Sequence, residues 1–405
     1  MPEEDSKSKF TINWRRLVEF VIFNTFTWYF LAFNLFAGML EENAGLMPWQ
    51  KIIIWAAHFG AIMGAAIIGA NFSGKLISRI NLISLWICFG IISSFTLIAK
   101  TNCITCILLF SSILGVSFGL GLPSCMGIFA DSTAIESRGR SGGFIWFAVT
   151  IGCSILGIVS MFIKSPMGRS SVLFIWRAVA LAIFLLFKPK EAFTKVRKHP
   201  SYLSILRDKR FLLYFIPWIM FCVINYLIIP IIPPNIPYIL KIINFGVTSL
   251  FALVGGVVSD SVGRKPVIII GFIMLGISYA ALGIRAGLFA YYLYTIMDSI
   301  AWGMFGTVFL MILWADLSDN MASEKHYAIG GLPYVFSALL EQLFAPFIET
   351  IPKSAAFSFA SFFLFLSVLP LLYAPETLPE SVIRHRELRR YIEKAKKLRD
   401  KYRKN

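Results

Sequence analysis

Charged and polar side chains set inside long apolar runs are the groups in this sequence best placed to do chemistry. Glu341 lies in the run 331–350, Asp298 in 288–314 and Arg177 in 171–187. An ionised group at membrane depth costs about 2.5–3.5 kcal/mol on insertion scales, so each must meet a partner, line a polar pathway or carry a proton. Tyr334, Ala338 and Glu341 follow the i, i+4, i+7 spacing of one helical face, placing an aromatic ring, a small residue and a carboxylate in a row. That face either meets a solute pathway or gives Glu341 to another polar group between helices. Asp298 with Trp302 and Asn24 with Trp28 repeat the pairing of a polar group and an aromatic one turn apart. Asn225 shares a face with Trp218 and Cys222, with Tyr226 beside it. Arg177 either joins the same pathway or snorkels outward. A lone His58 in the run 50–71 reads as a satisfied helix contact or a proton relay.

Other reactive types are dispersed. His58, His199, His326 and His385 are scattered, and Cys103-x-x-Cys106 has no second pair. No metal centre, cofactor or catalytic constellation is therefore expected, and the cysteines read as packing residues.

The elements that must hold these groups follow from composition. With 57% hydrophobic and only 15% charged residues among 405, the chain departs far from the roughly 25% charged content of soluble domains and reads as an all-α polytopic membrane protein. Twelve apolar stretches approach the length of a membrane span: 18–39, 50–71, 82–99, 104–129, 142–163, 171–187, 211–231, 238–258, 267–284, 288–314, 331–350 and 354–373. Pro230, Pro233, Pro234 and Pro237 blur the seventh-to-eighth connection. Met1 to Phe10 carries both signs of charge and no short apolar core, so the first span itself is expected to target the chain. An even span number puts both termini on one side. About 30 of the 38 Lys and Arg residues then fall on that side, which makes it cytoplasmic. The formal charge of +16 is thereby a topology signal, with no nucleic-acid partner required.

Between the eighth and ninth spans, Gly255 to Pro266 reads GGVVSDSVGRKP, so glycines loosen the backbone where Asp260 meets Arg264 and Lys265 at the membrane surface. The chain also repeats itself at an offset of about 186 residues. Gly69 to Arg79 falls where Gly255 to Lys265 falls, Ala130-Asp131 matches Ala315-Asp316, and Gly142-Gly143 after Arg138 and Arg140 matches Gly330-Gly331 after Lys325. The organisation expected is a six-helix bundle over 1–187, a basic linker over 188–210, a second bundle over 211–373 and a basic tail over 374–405.

The spacing of Gly256, Asp260, Gly263, Arg264 and Lys265 resembles the loop signature of the major facilitator superfamily (MFS), and the twelve spans, central linker and duplicated loop extend that resemblance over nearly the whole chain. It implies two pseudo-symmetric six-helix bundles related by an axis along the membrane normal, a cavity for a small-molecule substrate near the midplane, and rocking that exposes the cavity alternately. It also implies a gate in which Asp260 caps the start of the fifth helix beside Arg138 and Arg140. Several departures qualify it. Gly74 replaces the signature aspartate in the first half, so the partner gate at the helix beginning near Gly330 is expected to be weak. Ser111 stands where proton-linked members often carry arginine, and the fifth span has Gly152 and Gly157 without a Gly-Pro pair. Pro375-Glu376-Thr377 and Glu136 to Arg140 resemble pieces of the sugar-porter subgroup, but its sugar-binding motif is missing from the seventh span.

The function expected is secondary transport of a small solute, a sugar or organic acid among the options, by symport or uniport with a proton as candidate coupling ion. The alternatives are a transporter-like sensor or channel and, less well supported, a membrane enzyme. The pathway candidates are Glu341, Tyr334, Trp146, Asp298, Trp302, Asn24, Trp28, Asn225, Tyr226 and Arg177. Trp146 enters because it holds the place of Tyr334 in the first half, with Thr150 and Cys153 completing its stripe. The expected setting is a multi-pass monomer in the plasma membrane. Leu388, Tyr391, Ala395, Leu398 and Tyr402 form a stripe on the basic tail, which could lie on anionic headgroups.

Overall fold

The computed structural model describes residues 14–43, 45–97, 103–163, 165–188, 198–232, 238–285, 287–319 and 321–380, with scattered tail positions. Twelve helices among these are long and apolar enough to span a bilayer. They are α1 (Trp14–Glu42), α2 (Pro48–Phe72), α3 (Arg79–Thr96), α4 (Ile104–Ser132), α5 (Arg138–Phe162), α6 (Pro166–Phe187), α7 (Lys209–Ile231), α8 (Ile243–Ser261), α9 (Arg264–Ile284), α10 (Leu288–Asp316), α11 (Glu324–Ile348) and α12 (Lys353–Tyr373). Helices dominate because every backbone amide must find its partner within its own segment where water is absent.

Each expected span is present, and most differences lie at the ends. The sixth, an apolar run of only 171–187, gains a full turn because Pro166 opens the helix and the Ser165 hydroxyl accepts from the Gly168 amide. The eleventh begins at Glu324, well before residue 331, since Glu324, Lys325 and His326 are buried by tertiary partners that hydropathy cannot see. Of the tail stripe, Leu388 and Ala395 are exposed, while Tyr391, Leu398 and Tyr402 lie outside the described residues.

The two halves pack alike. Within the first, α2 lies on α4 and α3 on α6; within the second, α8 lies on α10 and α9 on α12. The bundles meet along α5 with α8 and along α2 with α11. At the first seam Gly139 and Gly256 allow close approach: a Cβ on Gly256 would collide with the Gly139 carbonyl oxygen, and one on Gly139 would meet Asp260.

The linker is docked at the face carrying the loop signature. The short helix Tyr202–Arg207 follows Ser201, whose hydroxyl accepts from the Ser204 amide. Tyr202 donates to the Ile67 carbonyl at 2.9 Å, and the Ala322 amide donates to the Lys198 carbonyl at 3.1 Å, so this segment touches both bundles. Lys325 Nζ sits 4.6 Å from the Tyr202 ring centre. Partial burial, then the cations Lys75, Arg79 and Lys325, hold His199 below its ordinary value of 6.5. The docked linker therefore prefers neutral imidazole. Docking is at full strength above about pH 6.5 and weakens as pH falls through that value, because the undocked segment binds the proton better. Spin labels at Leu203 and Leu76 should show a distance distribution that broadens between about pH 7 and pH 5.5. His199→Gln should remove that response; a response surviving the substitution in full would exclude His199 as its origin.

Candidate functional site

At the signature face, carboxylates and guanidinium groups are desolvated together. Asp260, only 2% exposed, accepts from the amides of Gly139 at 2.8 Å and Arg140 at 2.9 Å, the first turn of α5. Those amides have no partner within their own helix, and the helix dipole adds partial positive charge there. The Arg140 Nε at 3.3 Å and the Arg264 Nη1 at 3.1 Å complete the shell of Asp260. Arg264, fully buried, also donates to Asp316 at 3.0 Å and to the Ser259 and Ile135 carbonyls. Arg138 donates to the other Asp316 oxygen at 2.5 Å and to the Ala130 and Thr133 carbonyls. Two bundles are thus joined through two carboxylates and three arginines.

The turn itself is shaped for this. Gly263 takes φ +128°, a region closed to side-chain-bearing residues. It releases the Arg264 and Lys265 amides, which donate to Glu376 at 2.7 and 3.1 Å. Glu376 also accepts from its neighbours Thr377 and Leu378, so the Pro375-Glu376-Thr377 segment caps α9. Lys265 turns away to the Leu372 and Ala374 carbonyls.

The first-half contact corrects an expectation. Gly74 does leave that loop without a carboxylate, yet the contact is not weak. Arg79 donates to Asp131 at 2.6 Å and forms an ion pair with Glu324, whose side chain is fully buried at the start of α11. Glu324 stands at the repeat position of Arg138, so the cation of one contact is an anion in the other. Gly127 leaves the space that Glu324 occupies. Asp131 and Asp316 were visible in the repeat, but nothing in the sequence alone assigned them a partner. Glu324 sits outside the apolar run and carried no signal.

Away from this face, a cavity of about 740 Å³ separates the bundles. It is lined by α1, α5, α8, α10 and α11, including Trp146, Asp298, Trp302 and Tyr334. Thr150 and Ser249 hydroxyls meet at 2.8 Å across the bundles. Between the cavity and the ion pairs lie Phe118, Leu310, Trp314 and Tyr327, around a void of only about 70 Å³. A π-helical turn at Gly306–Ile312 breaks α10 here; Tyr327 donates to the Met311 carbonyl at 2.6 Å, and Gly306 leaves room for the Trp146 ring. At the far end, no ion pair joins the bundles among the described residues.

The remaining pathway candidates divide. Tyr226 packs edge-on against Tyr334, with ring centres 5.4 Å apart. Glu341 is half-buried on α11, near enough to both phenols for its charge to act on them, but is not part of the cavity wall. Asn225 is buried on α7 and also lies off the wall. Asn24, Trp28 and Arg177 come together inside the first bundle instead. Arg177 is fully buried, which rules out snorkelling: Nη1 donates to Asn24 at 3.1 Å and Thr25 at 2.5 Å, and the guanidinium stacks between Trp28 and Trp86 at 5.2 and 4.9 Å. His58 is a satisfied helix contact. Its Nδ1 donates to the Ser111 carbonyl at 3.0 Å, leaving Nε2 to accept from Tyr29 at 3.0 Å.

No known family model and no curated protein sequence matches this chain. Its fold does match solved structures. The proton:xylose symporter XylE bound to 6-bromo-6-deoxy-D-glucose superposes with TM-score 0.68 at 14% identity, over 90% of this chain and 96% of that one. The human organic anion transporter MFSD10 (TETRAN) gives 0.62 at 17% identity, over 89% and 100%. A double-tryptophan mutant of XylE gives 0.65 at 16% identity, over 92% and 98%. The chain has the major facilitator superfamily fold: two pseudo-symmetric bundles of six helices.

The two partners at the first-half gate should respond unequally to substitution. Arg79→Gln strands Glu324 as a buried, uncompensated charge and should cost about 3–5 kcal/mol. Glu324→Gln should cost markedly less, because Arg79 keeps Asp131. The double variant should fall close to the milder single one, since the stranded charge is gone. Melting temperatures of the three purified variants give the order, and equal losses for the two single substitutions would contradict this account.

Proposed function

We propose that this chain is a secondary transporter that moves a small solute across a membrane by alternating access. The carrying observation is the cavity between the bundles, closed at one face by two gates built from opposed charges and free of such pairs, among the described residues, at the other. This arrangement corresponds to a conformation closed on the signature side. The charge bias of the loops supports placing that side in the cytoplasm, with both termini there, and the plasma membrane as the setting. Each chain holds a whole cavity, which supports a monomer. The basic tail is suited to anionic headgroups.

The transport activities of XylE and MFSD10 favour flux over the alternative of a sensor or channel. At 14–17% identity neither solute carries over. Trp146, Asp298, Trp302 and Tyr334 form the proposed solute surface. Glu341, beside Tyr226 and Tyr334, is the proposed site of a coupling proton. Asn225 lies buried on α7, off this surface, while Asn24, Trp28 and Arg177 hold the first bundle together.

In this mechanism Asp260 is a one-sided clamp. Its carboxylate holds the α5 amides only while the signature face is closed, and the closed seam also buries Arg264 with Asp316. A carboxylate at a helix start contributes up to about 2 kcal/mol when partly buried, which alone shifts a two-state equilibrium roughly thirtyfold. Asp260→Asn should therefore populate the form open on that face. Spin labels at Leu76 and Val262 should gain a longer distance component, labels at Phe162 and Phe289 a shorter one, and flux of the transported solute should slow. Unchanged distributions in both pairs would sink the clamp. An absence of reciprocal change at the two faces under any condition, together with no gradient-driven uptake of any solute in liposomes, would leave the sensor reading in its place.

A further inference from the structure

We infer that the cavity is built for an organic cation with an apolar body, recognised by Asp298 and a surrounding set of aromatic faces. This rests on the transport reading above and names its substrate class. Asp298 lies on α10 in the wall of the cavity, 8% exposed. Its Oδ1 has no hydrogen-bond partner. The Asn244 side chain, also in the wall, lies near enough to act on the carboxylate, and no arginine or lysine pairs with it among the described residues.

A carboxylate left this way in a low-dielectric wall is costly unless something of opposite charge arrives. Asp260, Asp316 and Glu324 at the signature face each have a guanidinium within reach, whereas Asp298 lies in the wall of a cavity. Asp298 is the one carboxylate in that wall among the described residues, and no described cationic side chain lines it.

The rest of the wall suits the same ligand. Phe30, Trp146, Phe245, Trp302 and Tyr334 give it five aromatic rings. Trp302 stands one turn beyond Asp298 on α10, so carboxylate and indole share a face. Trp302 and Tyr334 meet edge-on with ring centres 6.0 Å apart, making a corner between α10 and α11. Aromatic faces attract a desolvated cation and also accept an apolar body, while their negative faces disfavour an anion. A sugar needs many fixed donors and acceptors. Here the polar groups are few, and Thr150 is already engaged with Ser249. The volume of about 740 Å³ admits a ring-bearing amine or quaternary ammonium without forcing its charge against a hydrophobic wall.

Three probes of nearly one shape and different charge test this on the purified full-length chain: N-methylphenylpyridinium, uncharged phenylpyridine at mildly alkaline pH, and phenylbenzoate. Equilibrium binding should favour the cation over the neutral probe by about tenfold or more, with the anion weakest. Asp298→Asn should abolish the preference for the cation while leaving affinity for phenylpyridine within about twofold, which shows that the cavity still folds. Asp298→Glu should recover most of the preference. Equal binding of cation and anion, a cation preference that survives Asp298→Asn, or binding of none of the three probes would each overturn the inference. Those results leave the transporter reading standing as long as labels at the two faces still move reciprocally, so the two failures are distinguishable.

Discussion

Closing one face of a membrane bundle means taking charges out of water, and the fold depends on doing so in matched sets. Asp260, Arg264, Asp316 and Arg138 are each buried, and each would be prohibitive alone. Together with the first amides of α5 they leave few donors or acceptors unmet. Arg264 holds Asp260 and Asp316 within the second half, but the links to Arg138 and the α5 amides exist only while the halves are pressed together. Parting the halves returns the charges to solvent, where hydration replaces most of what the pairs supplied.

The two contacts between the bundles at this face use different chemistry. In the second-half loop the bridging group is an aspartate that grips a helix start, and the helix of the other bundle contributes cations. In the first-half loop Gly74 has no side chain to offer, and the opposite helix supplies an anion, Glu324, to Arg79. The repeat is preserved in geometry and inverted in charge. One contact uses the polarity of a helix terminus in addition to ion pairs; the other relies on a guanidinium held between two carboxylates. The docked linker adds a third contact, reaching both bundles through Tyr202 and Lys198.

The interior of the first bundle solves a related problem without a carboxylate. Arg177 stacks between Trp28 and Trp86 and is hydrogen-bonded to Asn24 and Thr25. A weakly hydrated, planar cation is suited to such a cage in a way a lysine ammonium is not. That residue is spent on packing. In the cavity the aromatic groups have no such cation of their own among the described residues.

The sequence by itself determined the spans, because length and hydropathy are local quantities, and it determined the twofold repeat and the sided distribution of Lys and Arg. It also exposed the Asp260 loop, since a carboxylate and two cations beside glycines stand out against apolar flanks. It did not reveal Glu324, which precedes the apolar run of α11 and is buried only because Arg79 comes from more than two hundred residues earlier in the chain. Nor could it separate Arg177 from Asp298. Both are charges within spans near tryptophans, but one points into its own bundle and the other lies in the wall between bundles. Which way a helix face turns is set by packing against helices distant in sequence, and that rotation was decided only when the twelve helices closed around one another.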